Sequence, residues 1–328
     1  MGSSRPQKQL NVLLFGLGAI GGFYAYVLGR NQNVSLSVIA RSNHDAVKEN
    51  GLQIESEIHG SHKVNIDHVY RSPSDAVNVK FDYIVCAHKA IKPASIPSLF
   101  KAVTDDNTTF VIIQNGVGNE EPFRDTFARN TIISCVTWTG AVQKIPGVIS
   151  HNRNEDMQIG LFPNKSIDQT IEQKRLTTFS ELLTNGGTKF SVEEDVQVKR
   201  WEKVVWNAAW NPLTTITGLP VQAWLKSSPE AEALTRQLME DVITVGRRLG
   251  VPLKDGLAAE LLAKVVAMQS PIFSSMYQDA QAGRPLETDV IVGFPMRKAN
   301  ELGLDVPGLR AIYALTTAVN ARLTEAKL

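Results

Sequence analysis

The sequence predicts an α/β protein in two parts: an N-terminal dinucleotide-binding domain over residues 1–194, then an all-helical domain over residues 195–328. Three observations predict it. An apolar run, Leu10–Phe15, feeds directly into Gly16-Leu17-Gly18-Ala19-Ile20-Gly21-Gly22 and then into the helical stretch FYAYVLGR. Strand-like and helical patterns then alternate to about residue 190, as a twisted α/β sheet requires. From Asp195 nearly every pattern is helical, with no low-complexity tether at the change.

The glycine-rich turn carries the first chemistry. GxGxxG is a weak motif alone, but strand, GxGxxG, helix is the context of a Rossmann-type dinucleotide fold. Gly16 permits the tight turn, Gly18 lets the backbone approach a pyrophosphate, and Gly21 lets the helix pack on the strand. The free N–H groups of the turn and helix start, including those of Leu17, Ala19 and Ile20, face the phosphates.

Val34–Ala40 reads as the second strand and ends at Arg41. An acidic residue here would bond the ribose hydroxyls of NAD; an arginine suits a 2′-phosphate. NADP(H) is therefore the expected cofactor, although Asp45 and Glu49 lie nearby. Gly51–Val69 reads as a hairpin-type excursion. Phe81–Ala87 is a buried-strand pattern running into His88-Lys89-Ala90-Ile91-Lys92, and Phe110–Ile113 runs into Gln114-Asn115-Gly116-Val117-Gly118. Lys89 and Asn115 thus follow strand ends, where doubly wound sheets bind ligands; Asn115-Gly116 is equally a turn signal. Thr131–Gly140 and Val148–Phe162 suggest further sheet.

In the helical part, Trp201–Leu213 is apolar nearly all round. Lys203, Asn207 and Asn211 sit at i, i+4 and i+8 and form one narrow polar stripe. A lysine and two amides in a buried wall need polar partners. The bland alternative is that Lys203 reaches solvent along its stem and the asparagines bond backbone. Pro212 disfavours α geometry at Asn211, so the stripe is expected to open there. Helices are expected over Glu230–Gly250, Leu253–Met268, Asp289–Leu302 and Val306–Leu323, with Gly283-Arg284-Pro285 as a break. Ser274-Ser275 reads as a helix cap, Glu287 as a helix-start carboxylate, and Arg284 as a surface partner of Asp279.

Composition excludes several classes. A net charge of +1 gives no global field for nucleic acid or membrane. Cys86 and Cys135 sit in apolar strands and read as core residues in a reducing compartment. His59, His62 and His68 lack zinc spacing and read as surface histidines; no metal is expected. No stretch is apolar enough to span a bilayer. The polar start MGSSRPQKQ has no signal-peptide core, and Pro6 breaks the myristoylation pattern. A cytoplasmic protein is expected, with a mitochondrial address left open.

These motifs, in their order and spacing, resemble the ketopantoate reductase (2-dehydropantoate 2-reductase) family. The resemblance rests on Gly16–Gly22, His88-Lys89-Ala90, Gln114–Gly118, Trp201-Glu202-Lys203 with Asn207 and Asn211-Pro212-Leu213-Thr214, Ser274–Asp279, and Gly283–Asp289. It implies NADPH-dependent reduction of a 2-keto acid, ketopantoate to pantoate above all, in a cleft between a Rossmann domain and a helical domain. By the resemblance, Lys203 is the general acid and Glu287 the glutamate beside it and the cofactor. Asn207, Asn211 and Ser275 bind substrate; Lys89, Asn115, Arg41 and, less directly, Lys92 serve the cofactor. The family's further substrate asparagine after the NPLT segment is missing: Pro220 is followed by Val221. An apolar residue there suits 2-ketoisovalerate or a bulkier 2-keto acid, unless Gln222 supplies the amide. Two alternatives stand beside this reading: a reductase of another 2-keto acid, and a non-catalytic NADP-binding sensor. A homodimer is compatible with the sequence.

Overall fold

The computed structural model describes residues 9–268 and 270–325; the features of the extreme N-terminus weighed above lie almost wholly outside them. The chain divides into two compact units. One comprises residues 1–89, 93–114 and 119–196; the other comprises 90–92, 115–118 and 197–328. The second unit is therefore not one continuous segment. It includes two short pieces that follow the expected strands ending near residues 87 and 113.

In the first unit, β1 (Leu10–Phe15), α1 (Ala19–Gly29) and β2 (Val34–Ile39) open the chain, followed by α2 (His44–Asn50). The predicted excursion is a hairpin, β3 (Gln53–Ser56) and β4 (Gly60–Lys63), after which β5 (His68–Tyr70) returns to pair with β2. Then come β6 (Tyr83–Cys86), β7 (Thr109–Ile112), α3 (Glu121–Thr126) and β8 (Thr131–Thr137). The unit ends with β9 (Ala141–Ile145), β10 (Val148–His151), β11 (Met157–Phe162), α4 (Gln169–Gly186) and β12 (Ser191–Val192).

The large sheet has the order β12-β11-β8-β7-β6-β1-β2-β5, and β3, β4, β9 and β10 form a second, four-stranded sheet. The stretch Val148–Phe162, expected simply as further sheet, is divided between the two: β10 lies in the small sheet and β11 in the large one. β1 pairs in parallel with both β2 and β6. The strand order reverses about β1, so the crevice outside its carboxyl end and that of β6 is the topological switch point where such sheets bind ligands. β1, β6 and β7 are nearly continuous apolar runs because parallel strands are covered on both faces. Cys86 and Cys135 are free thiols in this core, and burial pushes the Cys86 thiol well above its usual range.

The second unit holds most of α5 (Val196–Thr217), then α6 (Val221–Leu225), α7 (Ala231–Arg248), α8 (Leu257–Val266) and α9 (Ser275–Gln281). A five-residue π-helical turn, Asp289–Gly293, leads into α10 (Phe294–Glu301), and α11 (Pro307–Glu325) closes it. α8 is shorter than its pattern suggested, and the helix expected from Asp289 starts as this π turn. Among the described residues, no helix is long and apolar enough to cross a membrane.

The α geometry that Pro212 disfavours at Asn211 nevertheless persists: the helix runs through Pro212 to Thr217. Proline inside a helix costs about 3 kcal/mol. Val204, Val205, Trp210 and Leu213 are all buried, at roughly 1.5–3 kcal/mol each, so packing outweighs the penalty. Threonine hydroxyls bond back onto the last turns, Thr214 Oγ1 to the Trp210 carbonyl at 2.8 Å and Thr215 Oγ1 to that of Asn211 at 2.7 Å.

A Cβ built at Gly21 would lie 1.9 Å from the Gly16 carbonyl oxygen, whereas one at Gly18 would meet nothing within 4 Å. Gly21→Ala is therefore expected to lower stability by roughly 1–3 kcal/mol, as overpacking does. Gly18→Ala should leave the thermal midpoint nearly unchanged. Thermal unfolding of the two variants checks this; equal midpoints would refute the packing account.

Candidate functional site

Two constellations carry chemistry, one in each unit. In the first, Gly16 turns the chain after β1 with φ +101°, and a Cβ there would collide with the backbone of His88. Gly18 caps α1 without a side-chain bond, so the helix starts with uncapped N–H groups and open space above Gly18. That is the cradle a pyrophosphate needs, and the residues fit a dinucleotide. Arg41 is exposed just beyond β2, and Lys89 is exposed beyond β6. His88 is buried between them in sequence and in charge. Burial, and then the charge of Arg41, push its imidazole down to about 4. Its Nε2 lies 3.0 Å from the Gln114 side-chain amide nitrogen, and its ring packs edge-on to Phe15 at 4.6 Å. This strand end therefore presents a neutral ring rather than a second cation.

In the second unit the polar stripe of α5 is real. Asn207 and Asn211 are 7% and 4% exposed. The Lys203 ammonium does not reach for solvent: it donates to Asn115 Oδ1 at 2.9 Å. Desolvation is the main cause that lowers Lys203 to about 7; Arg200 also lowers it and Glu287 raises it. Glu287 is itself buried, and its Oε1 accepts from the Ala90 N–H at 2.9 Å. The two short pieces of this unit, 90–92 and 115–118, thus each supply one partner to the Lys203–Glu287 pair. The second is shaped for it. Gly116 has φ +88°, a Cβ there would strike Val290, and the Val117 N–H donates to the Val290 carbonyl in the π turn at 3.0 Å.

Asn211 Nδ2 is buried without a hydrogen-bond partner. Such a donor is costly unless something else fills it. Beside it, Ser274 caps α9 through the Tyr277 N–H at 3.0 Å and bonds Thr214 Oγ1 at 2.7 Å. Ser275, the next residue, is exposed at the start of α9. The cap reading of Ser274 therefore holds, and its hydroxyl also lies 3.5 Å from the Asn211 carbonyl oxygen. Arg284 does pair with Asp279 at 2.9 Å, but Asp279 is buried rather than a surface carboxylate. Arg200, absent from the residues singled out above, is 2% exposed and donates from Nη1 to the Gly116 carbonyl at 2.8 Å. The signal for it was its position one turn before Lys203, on the same face of the helix.

Two expectations are corrected. Gln222 does not offer a free amide: its Nε2 donates to the Ser270 carbonyl at 3.0 Å and its Oε1 accepts from the Ile272 N–H at 3.0 Å. Val221 is fully buried, with its own N–H on the Ile272 carbonyl at 2.9 Å. His59, read as a surface histidine, is largely buried. Its Nε2 lies 2.7 Å from Glu155 Oε2, and His151 Nε2 approaches the same oxygen at 4.0 Å. These three offer atoms within 4.8 Å of one another, a spacing a cation could use. Ser56 Oγ, however, already accepts from the Ile58 and His59 N–H groups, so its hydroxyl donates to His151 Nδ1. That leaves the proton of His151 on Nε2, which lies 3.3 Å from the Asn154 carbonyl oxygen, and the cluster is held as a brace by these bonds and by that between His59 and Glu155. His62 and His68 are exposed as expected.

Removing the orphaned donor by Asn211→Leu, roughly isosteric, is expected to leave the thermal midpoint unchanged or raise it by a few degrees. A clear loss of stability on calorimetry would mean that the amide serves the fold instead.

Comparison with known proteins agrees with this geometry. Residues 12–164 match the family model described as ketopantoate reductase PanE/ApbA, and residues 195–320 match the one for its C-terminal part. The chain is 26% identical over 300 residues to a 2-dehydropantoate 2-reductase of a Nostoc species, covering 92% of each. It is also 26% identical over 310 residues to that of Pyrococcus horikoshii, covering 94% of this chain and 97% of the relative. The crystal structure of 2-dehydropantoate 2-reductase from Methylococcus capsulatus superposes with a TM-score of 0.84 at 29% identity, covering 96% of this chain and 98% of that one. D-mandelate dehydrogenase, at 20% identity and a TM-score of 0.81, shares the fold. With both halves of its length matched in order, the chain belongs to the ketopantoate reductase family, a family of oxidoreductases.

Proposed function

We propose that this protein reduces a 2-keto acid to the 2-hydroxy acid with NADPH, ketopantoate to pantoate being the first substrate to consider. The observation that carries the reading is Lys203: an ammonium on an apolar helix, oriented by Asn115, balanced by Glu287, and lowered to about 7. Bound NADPH supplies the hydride; the rest is the work of this chain. As negative charge develops on the ketone oxygen, Lys203 donates a hydrogen bond and then its proton. Glu287 keeps that proton available near neutrality by raising what burial lowers. Asn207, Asn211 and Ser275 offer neutral donors to the carboxylate and hydroxyl groups of the substrate. Gly16 to Gly21 hold the pyrophosphate, Arg41 the 2′-phosphate, and Lys89 and Asn115 the nicotinamide side.

A second reading has its own observation. With Val221 buried and Gln222 committed to backbone, neither residue offers an amide in place of the family's further substrate asparagine. This favours a 2-keto acid without the hydroxymethyl group, such as 2-ketoisovalerate. Side-by-side NADPH oxidation with the two acids separates the readings. NADPH binding with turnover of neither acid, nor of other 2-keto acids, would favour the sensor.

Reduction needs Lys203 protonated and the reverse oxidation needs it neutral. A lysine lowered to about 7 therefore predicts that kcat/KM for reduction falls about tenfold per pH unit above roughly pH 7. Oxidation of the hydroxy acid falls below that point. Lys203→Met should cost at least about a thousandfold in kcat while NADPH still binds; near-normal turnover would exclude Lys203 as the acid. Arg41→Ala should raise KM for NADPH roughly tenfold or more and that for NADH little, read from initial rates with each cofactor. Equal changes would remove the 2′-phosphate role.

A further inference from the structure

Arg200 is the least expected residue of the helical unit. It is 2% exposed, three residues before Lys203 on α5, and so on the same face of the helix. A buried guanidinium is costly to desolvate, and a neutral donor would serve the Gly116 carbonyl as a hydrogen-bond partner. What distinguishes arginine is a charge that no ordinary pH removes, on a rigid fork. Its Nη1 holds the Gly116 carbonyl at 2.8 Å from one side of the 115–118 turn. From the other side the Val290 carbonyl holds the Val117 N–H at 3.0 Å, and the Val290 side chain fills the space any Cβ on Gly116 would need. Immediately before these two clamps in the chain is Asn115, whose Oδ1 accepts from Lys203.

We propose that Arg200 is a positioning residue for the reaction: its buried guanidinium fixes the 115–118 turn, and through it the Asn115 oxygen that aims the Lys203 ammonium. The proposal rests on the reductase reading of Lys203 given above. Arg200 also acts through space. The charged groups that bear on Lys203 are Arg200 on its own helix, which favours loss of the proton, and Glu287 on the segment before the π turn, which opposes it. A guanidinium this close on the same helix face opposes a second positive charge, so the arginine biases Lys203 toward proton release.

The test uses the full-length protein and the variants Arg200→Gln and Arg200→Lys, with folding confirmed by circular dichroism. Competitive acetylation of Lys203 across pH, read by peptide mass spectrometry, needs no turnover. The wild type should label with a midpoint near 7. Arg200→Gln, which can still donate to Gly116, should shift that midpoint upward by at least half a pH unit. It should also move the alkaline limb of kcat/KM by the same amount. Arg200→Lys keeps the charge and loses the fork, so its midpoint should stay near that of the wild type while kcat falls at least fivefold. A folded Arg200→Gln protein with an unchanged midpoint, or an Arg200→Lys protein with unchanged kcat, would overturn the proposal. A wild type that labels near 7 and reduces no 2-keto acid would instead overturn the reductase reading, and the labelling shift alone then decides whether Arg200 acts on Lys203.

Discussion

The Lys203 ammonium, desolvated on a mostly apolar helix, organises the helical unit. Lys203 sits on a helix whose other residues seek burial, and desolvation makes its ammonium expensive. The surroundings meet that cost with one neutral acceptor, Asn115, and one buried carboxylate, Glu287. Each partner then imposes its own requirement. Asn115 must stand on a turn whose next residue takes a positive φ, which Gly116 supplies. Glu287 needs a donor of its own, which the Ala90 N–H supplies. The π turn at Asp289–Gly293 offers the Val290 carbonyl to the same turn, in keeping with the tendency of such irregular helical turns to sit at functional places.

The dinucleotide side follows a different logic, in which space matters more than charge. Gly16 and Gly21 are glycine because backbone atoms lie where a side chain would be, whereas Gly18 faces open room. His88 closes the floor of that turn as a neutral ring, kept so by burial and by Arg41. The positive groups nearby, Arg41 and Lys89, are exposed, where a charge costs little to keep.

Much of this was legible from the chain because the relevant rules are local. Leu10–Phe15 could only be a buried strand, the glycines after it define one kind of turn, and the i, i+4, i+8 spacing of Lys203, Asn207 and Asn211 survives any error in helix boundaries. The failures came where distant residues decide. Pro212 stays helical because Trp210 and Leu213 are packed on a core the local rule does not see. His59 is tied down by Glu155 and His151, some ninety residues away in sequence. Val148–Phe162 suggests further sheet from its pattern, but its two strands belong to different sheets. Arg200 belongs to no local motif, and its bond to the Gly116 carbonyl, 84 residues away in sequence, is visible only in the fold.

The interleaving of the two units also bears on how the protein is made. Ala90 and the 115–118 turn leave the ribosome long before Glu287 and Val290, and their contacts to those residues span most of the chain. Contacts of such sequence separation carry a large loop-closure cost and form late. The sheet of the first unit, built from neighbouring strands, can be complete while these two pieces still lack their partners. The Lys203 ammonium consequently gains Glu287 as a neighbour among the last events of folding, and a nascent chain stopped before residue 287 would hold the strands of the sheet while that carboxylate is still missing.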